Sequence, residues 1–133
     1  MSIWDQHDIE DKIRSILTAV PVNPKHSMAG RQFLTTYQVV LEFDRTYHNV
    51  VALLGKPLGG KGAGQDALTI YFAKELAQRI ADNRIRDIEI QFLAPQYINT
   101  IDFKTNGSPM VATPHEANFT ETLFRLKQQL SSE

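Results

Sequence analysis

Five of the seven glycines fall between positions 55 and 64, interleaved with Lys56 and Lys61. Free backbone amides beside cations are a combination that can hold an anion. Gly55, Gly60 and Lys61 stand at the G-x-x-x-x-G-K spacing of a phosphate-cradling loop. Two requirements for nucleotide hydrolysis fail: Gly62 occupies the place of a magnesium-binding hydroxyl, and the preceding segment patterns as helix rather than strand. What remains is a weaker anion site at Lys56, Gly59, Gly60, Lys61 and Gly62, opposed by the charge of Asp66 at the next helix start. A glycine-rich hinge between two helices accounts for the same residues without a ligand.

Asp44 and His48 are four residues apart, so a helix places carboxylate and imidazole on one face with Tyr47 beside them, an arrangement suited to proton transfer. No third partner accompanies them, and an ordinary surface hydrogen bond has the same spacing. His7, His26 and His115 form no ligand pair, and the absence of cysteine removes thiolate metal sites, disulfides and cysteine nucleophiles. The sequence supports neither a metal site nor a cofactor.

Asp102-x-Lys104 on a strand, with Asp87 or Glu89 one strand earlier, resembles the acid-x-lysine core of restriction-type nucleases over about a third of the chain. The resemblance implies a divalent metal held by two acids, with the lysine positioning the attacking water. Three departures stand against it: the motif lies on the second strand rather than the third, the Pro-Asp pair is missing, and no strand follows the final helix. Alternating charges on a solvated sheet face look the same. Lys74, Arg79, Arg84 and Arg86 can meet phosphate, but a long glycine-rich connector replaces the short turn of a helix-turn-helix. Nucleic acid is therefore an alternative partner rather than the leading one.

The elements that must position these residues follow from periodicity. Ile9, Ile13, Ile16, Leu17 and Val20 predict a helix from Trp4 to Val20, ended by Pro21 and Pro24. A second helix is expected from Arg31 to Leu54, although residues 35–43 also alternate as a strand would. On that long helix Val39, Phe43 and Val50 lie off the main apolar stripe, and with Tyr47 they form the expected subunit interface. Asp66 is the expected N-cap of a third helix running from Ala67 to about Asp82. Strands follow at 87–93, 98–105 and 110–112, with Asn106-Gly107 as a hairpin signal that pairs Phe103 with Met110 and Ile101 with Ala112. Thr113-Pro114-His115-Glu116 then opens a last helix carrying Phe119, Leu123, Leu126 and Leu130.

With 133 residues, 42% of them hydrophobic, and a net charge of -1, the chain has the length and balance of one ordinary globular domain. No global field favours nucleic acid or an anionic membrane. The acidic start lacks the pattern of a secretion signal and no run is long enough to span a membrane, so a cytoplasmic location is expected. The expected fold is α+β, three helices followed by a three-stranded antiparallel meander and a C-terminal helix (α-α-α-β-β-β-α). The expected function is a non-enzymatic binding or interaction protein, homodimeric, with a further protein or small molecule as partner. The alternatives are a metal-dependent, nuclease-like enzyme and a nucleic-acid-binding module.

Overall fold

The computed structural model describes residues 2–22, 24–59, 66–94, 100–105, 110–112 and 122–127. Helices α1 (Ile3–Gln6) and α2 (Ile9–Thr18) replace the single N-terminal helix expected, because Asp8 between them takes a left-handed conformation. A short strand β1 (Leu34–Thr35) leads into α3 (Thr36–Thr46), which is followed by α4 (His48–Leu54) and α5 (Leu68–Ala81). The sheet strands are β2 (Ile88–Phe92), β3 (Ile101–Phe103), β4 (Met110–Ala112) and β5 (Thr122–Leu126). The molecule mixes helix and sheet as an α+β fold does, but the order of elements differs from the expected one.

Residues 36–46 resolve as helix because Thr35 and Gln38 form a reciprocal cap. The Gln38 amide donates to Thr35 Oγ1 at 3.2 Å, and the Thr35 amide donates to Gln38 Oε1 at 2.7 Å. The expected long helix breaks at Tyr47, whose backbone (φ -124°, ψ 46°) is non-helical. Gly55, at φ +66°, closes α4 with the left-handed residue such an end favours. Asn83 follows α5 in the same conformation, with the Arg84 and Ile85 amides returning to the Arg79 carbonyl. The N-cap of α5 is Ala67 rather than Asp66, and no side chain caps it. The Leu68 and Thr69 amides instead donate to the carbonyls of Pro57 and Leu58, at 2.7 and 3.0 Å.

The three expected sheet segments do not form one meander. β2 pairs antiparallel with β5, giving a sheet of order β1-β5-β2, whereas β3 and β4 form a separate ribbon. The ribbon register is the expected one, Ile101 opposite Ala112 and Phe103 opposite Met110. Its Asn106-Gly107 turn lies outside the described residues, as does the expected capping box at 113–116. The expected C-terminal helix is corrected where it is described: Thr122–Leu126 is a strand, with Phe124 opposite Ile90 and Leu126 opposite Ile88.

Helices α1 to α5 and the β1-β5-β2 sheet share one core containing Trp4, Ile13, Phe43, Phe72, Leu76 and Phe124. At its seam, buried Thr36 and Thr122 hydroxyls meet at 2.6 Å. Arg125 on β5 pairs with Glu89, donates to the carbonyls of Ala29 and Arg31, and lies over the Phe33 ring, holding the connector before β1 against the sheet. A smaller cluster of Tyr37, Leu41, Leu58, Ile101, Phe103 and Met110 attaches the ribbon to α3.

Candidate functional site

Between α3 and the β3–β4 ribbon lies a cleft of about 1210 Å³. One wall is the outer row of α3, where Gln38, Leu41, Glu42 and Arg45 follow one another at helical spacing. The opposite wall is Asp102, Phe103, Lys104 and Thr105. Leu58 and Gly59 close one side, and Ile16, Val20 and Leu34 line another. The Tyr37 and Phe103 rings stack at 4.9 Å with 16° between planes, fixing the distance between the walls.

The charges on the walls are of both signs. Arg45 donates from Nε to Glu42 Oε1 at 3.0 Å and also pairs with Glu42 Oε2, while Thr46 Oγ1 donates to that same carboxylate. Arg45 thereby holds the Glu42 carboxyl below its ordinary range, against the opposing effect of burial. Asp44 Oδ1 and His48 Nδ1 lie at 2.8 Å, the expected partners, but they meet across the break at Tyr47 rather than along one helix, with the imidazole exposed. Asp102 and Lys104 are exposed on the ribbon. Among the described residues, no group of three or more His, Asp or Glu side chains is placed to hold a metal.

The nuclease-like set does not converge. Asp87 precedes β2 and accepts two hydrogen bonds from Arg14, and Glu89 on β2 pairs with Arg125. Asp102 and Lys104 belong to the other sheet. The first acids are thus structural partners of arginines rather than ligands facing the second motif. Arg79 pairs with Glu75 and lies over Trp4, Arg84 pairs with Asp82, and Arg86 donates to the Asn83 carbonyl, so these cations are engaged locally.

At the proposed anion loop, Lys56 Nζ is 2.5 Å from Asp66 Oδ1 and sits over the Tyr71 ring. The first two amides of α5 are occupied by the Pro57 and Leu58 carbonyls. Gly59 has its own packing reason, since a Cβ there would press on the Thr69 side chain. Gly60, Lys61 and Gly62 lie outside the described residues.

Val39 and Phe43, expected at a subunit interface, are 0% exposed and belong to the chain's own core. Helix α3 contacts α2, α5, β1 and β5 as well as α4, so its second apolar face is covered from within. Tyr47 and Val50 are half-buried against the same core. The cleft carries no sequence signature: Asp102 and Lys104 fit a metal pattern, while Leu41, Glu42 and Arg45 on the opposite wall belong to no motif. Comparison with protein families, curated proteins and solved structures finds no match for this chain.

Proposed function

We propose that this chain is a non-enzymatic binding protein whose ligand seats in the cleft between α3 and the ribbon. The cleft carries the reading: it combines an apolar floor of Leu41, Leu58, Phe103 and Met110 with charged groups on both walls. Apolar floors supply affinity and a few placed charges supply orientation in ligand sites generally. On the helical wall, Glu42 is partnered by Arg45 and Thr46 and Asp44 by His48, an arrangement suited to recognition.

A fragment screen read by amide chemical shifts tests this. Binding is expected to move the amides of Leu41, Glu42, Phe103 and Lys104, and Leu41→Arg is expected to abolish those shifts while the rest of the spectrum stays folded. Fragments that shift only residues away from the cleft, or no fragment binding at all, would refute it.

The homodimer belongs to the same proposal, relocated from Val39 and Phe43 to the outer face of α4. There Leu53 is 73% exposed and Val50 is half-buried. Light scattering over a concentration series checks it: Leu53→Lys is expected to shift a dimer toward monomer, and a monomer at every concentration removes the dimer while leaving the cleft untouched.

A further inference from the structure

Tyr37, Leu41 and Asp44 follow one another along α3 at spacings of four and three, so they form one row of the helix. The first two join the ribbon: Tyr37 stacks on Phe103, and Leu41 packs in the same small cluster. Asp44 comes one turn after Leu41 and also lines the cleft, so the apolar floor runs directly into a carboxylate. His48 Nδ1 holds Asp44 Oδ1 at 2.8 Å, which fixes the carboxylate plane, and a carboxylate accepts further donors at its second oxygen. The Asp44 side chain is 28% exposed, sheltered by its neighbours yet open to the cleft.

The remaining charges of the described lining balance. Arg45 is bidentate on Glu42, and Asp102 and Lys104 bring one charge of each sign to the ribbon wall. Lys12, nearby on α2, donates to the His7 carbonyl at 2.7 Å and lies over the Tyr47 ring. Among the described lining residues three carboxylates thus stand against two cations. Asp44 carries the excess, being paired with an imidazole rather than with a fixed cation. Resting on the reading of the cleft as a binding site, we infer that its ligand is an amine, with a protonated nitrogen donating to Asp44 and an apolar body over Leu41, Phe103 and Met110. An ammonium leaving water needs a charged acceptor, and its carbon skeleton needs apolar contact beside it. Leu41 and Asp44 supply the two within one helical turn. Tyr47, which also lines the cleft, adds an aromatic ring of the kind that attracts an ammonium, as Lys12 Nζ at 5.6 Å from its centroid shows.

Three compounds of similar skeleton test this: phenethylamine, phenethyl alcohol and phenylpropanoate, each titrated into the full chain and followed by the amide shifts of Leu41, Asp44 and Phe103. The amine is expected to bind about tenfold or more tighter than the alcohol, the scale of a hydrogen bond to a charged group, and the carboxylate is expected to bind weakest. Asp44→Asn keeps the size of the side chain and is expected to bring the amine down to the affinity of the alcohol, with the alcohol itself unchanged. Asp44→Glu, which keeps the charge, and Asp102→Asn, on the other wall, are both expected to retain the preference. An alcohol or carboxylate that bound as tightly as the amine, or a preference that survived Asp44→Asn or was lost in Asp102→Asn, would overturn the amine and leave the cleft standing as a binding site. If none of the three compounds moved the cleft amides, the amine and the binding reading would fall together.

Discussion

Arg14 grips Asp87 across 73 positions of sequence, Nε donating to Oδ2 at 2.7 Å and Nη2 to Oδ1 at 2.9 Å. This bidentate pair ties α2 to the start of β2, and Arg14 also reaches Glu10 and Asp11 on its own helix. Hydrogen bonding by Arg14 holds the Asp87 carboxyl below its ordinary value of 3.8, outweighing the opposing effect of burial. A depressed carboxyl contributes stability that is fully present above its unfolded value and is lost as pH falls through its folded value. Since the Asp87 side chain is 52% exposed, screening limits the contribution to about 1 kcal/mol. Asp87→Asn is expected to lower the urea midpoint at neutral pH, and the gap from the parent is expected to close only as pH falls below the ordinary carboxylate range. A gap that stayed constant with pH would refute the assignment.

Phe43 makes a second case, because its position separates core from interface. Its ring packs edge-on against Phe72 at 5.0 Å and tilted against Tyr47 at 5.2 Å. Phe43→Ala is expected to cost about 3–5 kcal/mol, the range for deleting a buried aromatic ring. The loss is expected to be the same at every protein concentration, as for an intramolecular contact. Thermal unfolding across a concentration series measures this, and a midpoint that rose with concentration only in the parent would return Phe43 to an interface.

Short-range and long-range contacts separate what the sequence shows from what it does not. Local signals survive: the helix ends near Leu54 and Asp82, the Asp44–His48 contact, and the ribbon register of Ile101 and Phe103 all rest on neighbours a few positions apart. What failed depended on distant chain. Leu123 and Leu126 fit a helical stripe, but Thr122, Phe124 and Leu126 also alternate, and five residues cannot separate the two periods. Pairing with Ile88 and Ile90 on β2 decides it. Likewise Val39 and Phe43 look surplus along α3 alone, because α2, α5, β1 and β5, which cover the helix, come from distant chain. The cleft was illegible for the same reason, since its two walls come from α3 and β3, far apart in sequence.

Gly59 is constrained by its contact with Thr69. It sits at φ +146°, and a Cβ would lie 2.7 Å from Thr69 Cγ2 and against Thr69 Oγ1. Thr69 is buried at the start of α5 and cannot swing away freely. Gly59→Ala is expected to cost about 2 kcal/mol through overpacking. At Gly55 no atom of the described residues lies within 4 Å of an added Cβ, so Gly55→Ala is expected to cost the left-handed strain, about 1 kcal/mol. Chemical denaturation ranks the two, and the reverse order would contradict the packing.

The stacked rings of Tyr37 and Phe103 fix the ribbon to α3, and the ribbon's own cluster is small beside the main core. Removing one ring is therefore expected to loosen the ribbon without unfolding the remainder, because local opening requires only the local contacts to be lost. Tyr37→Ala is expected to raise amide exchange at residues 101–103 about tenfold or more, with β2 and β5 unchanged. Phe103→Leu, which keeps apolar bulk but not the stack, is expected to fall between Tyr37→Ala and the parent. Both variants are expected to weaken fragment binding in the cleft in the same order as they speed exchange. If exchange rose equally across β2, β5 and the ribbon, the ribbon would be an inseparable part of the main core. If binding were unaffected while the ribbon exchanged freely, the cleft would not be the site.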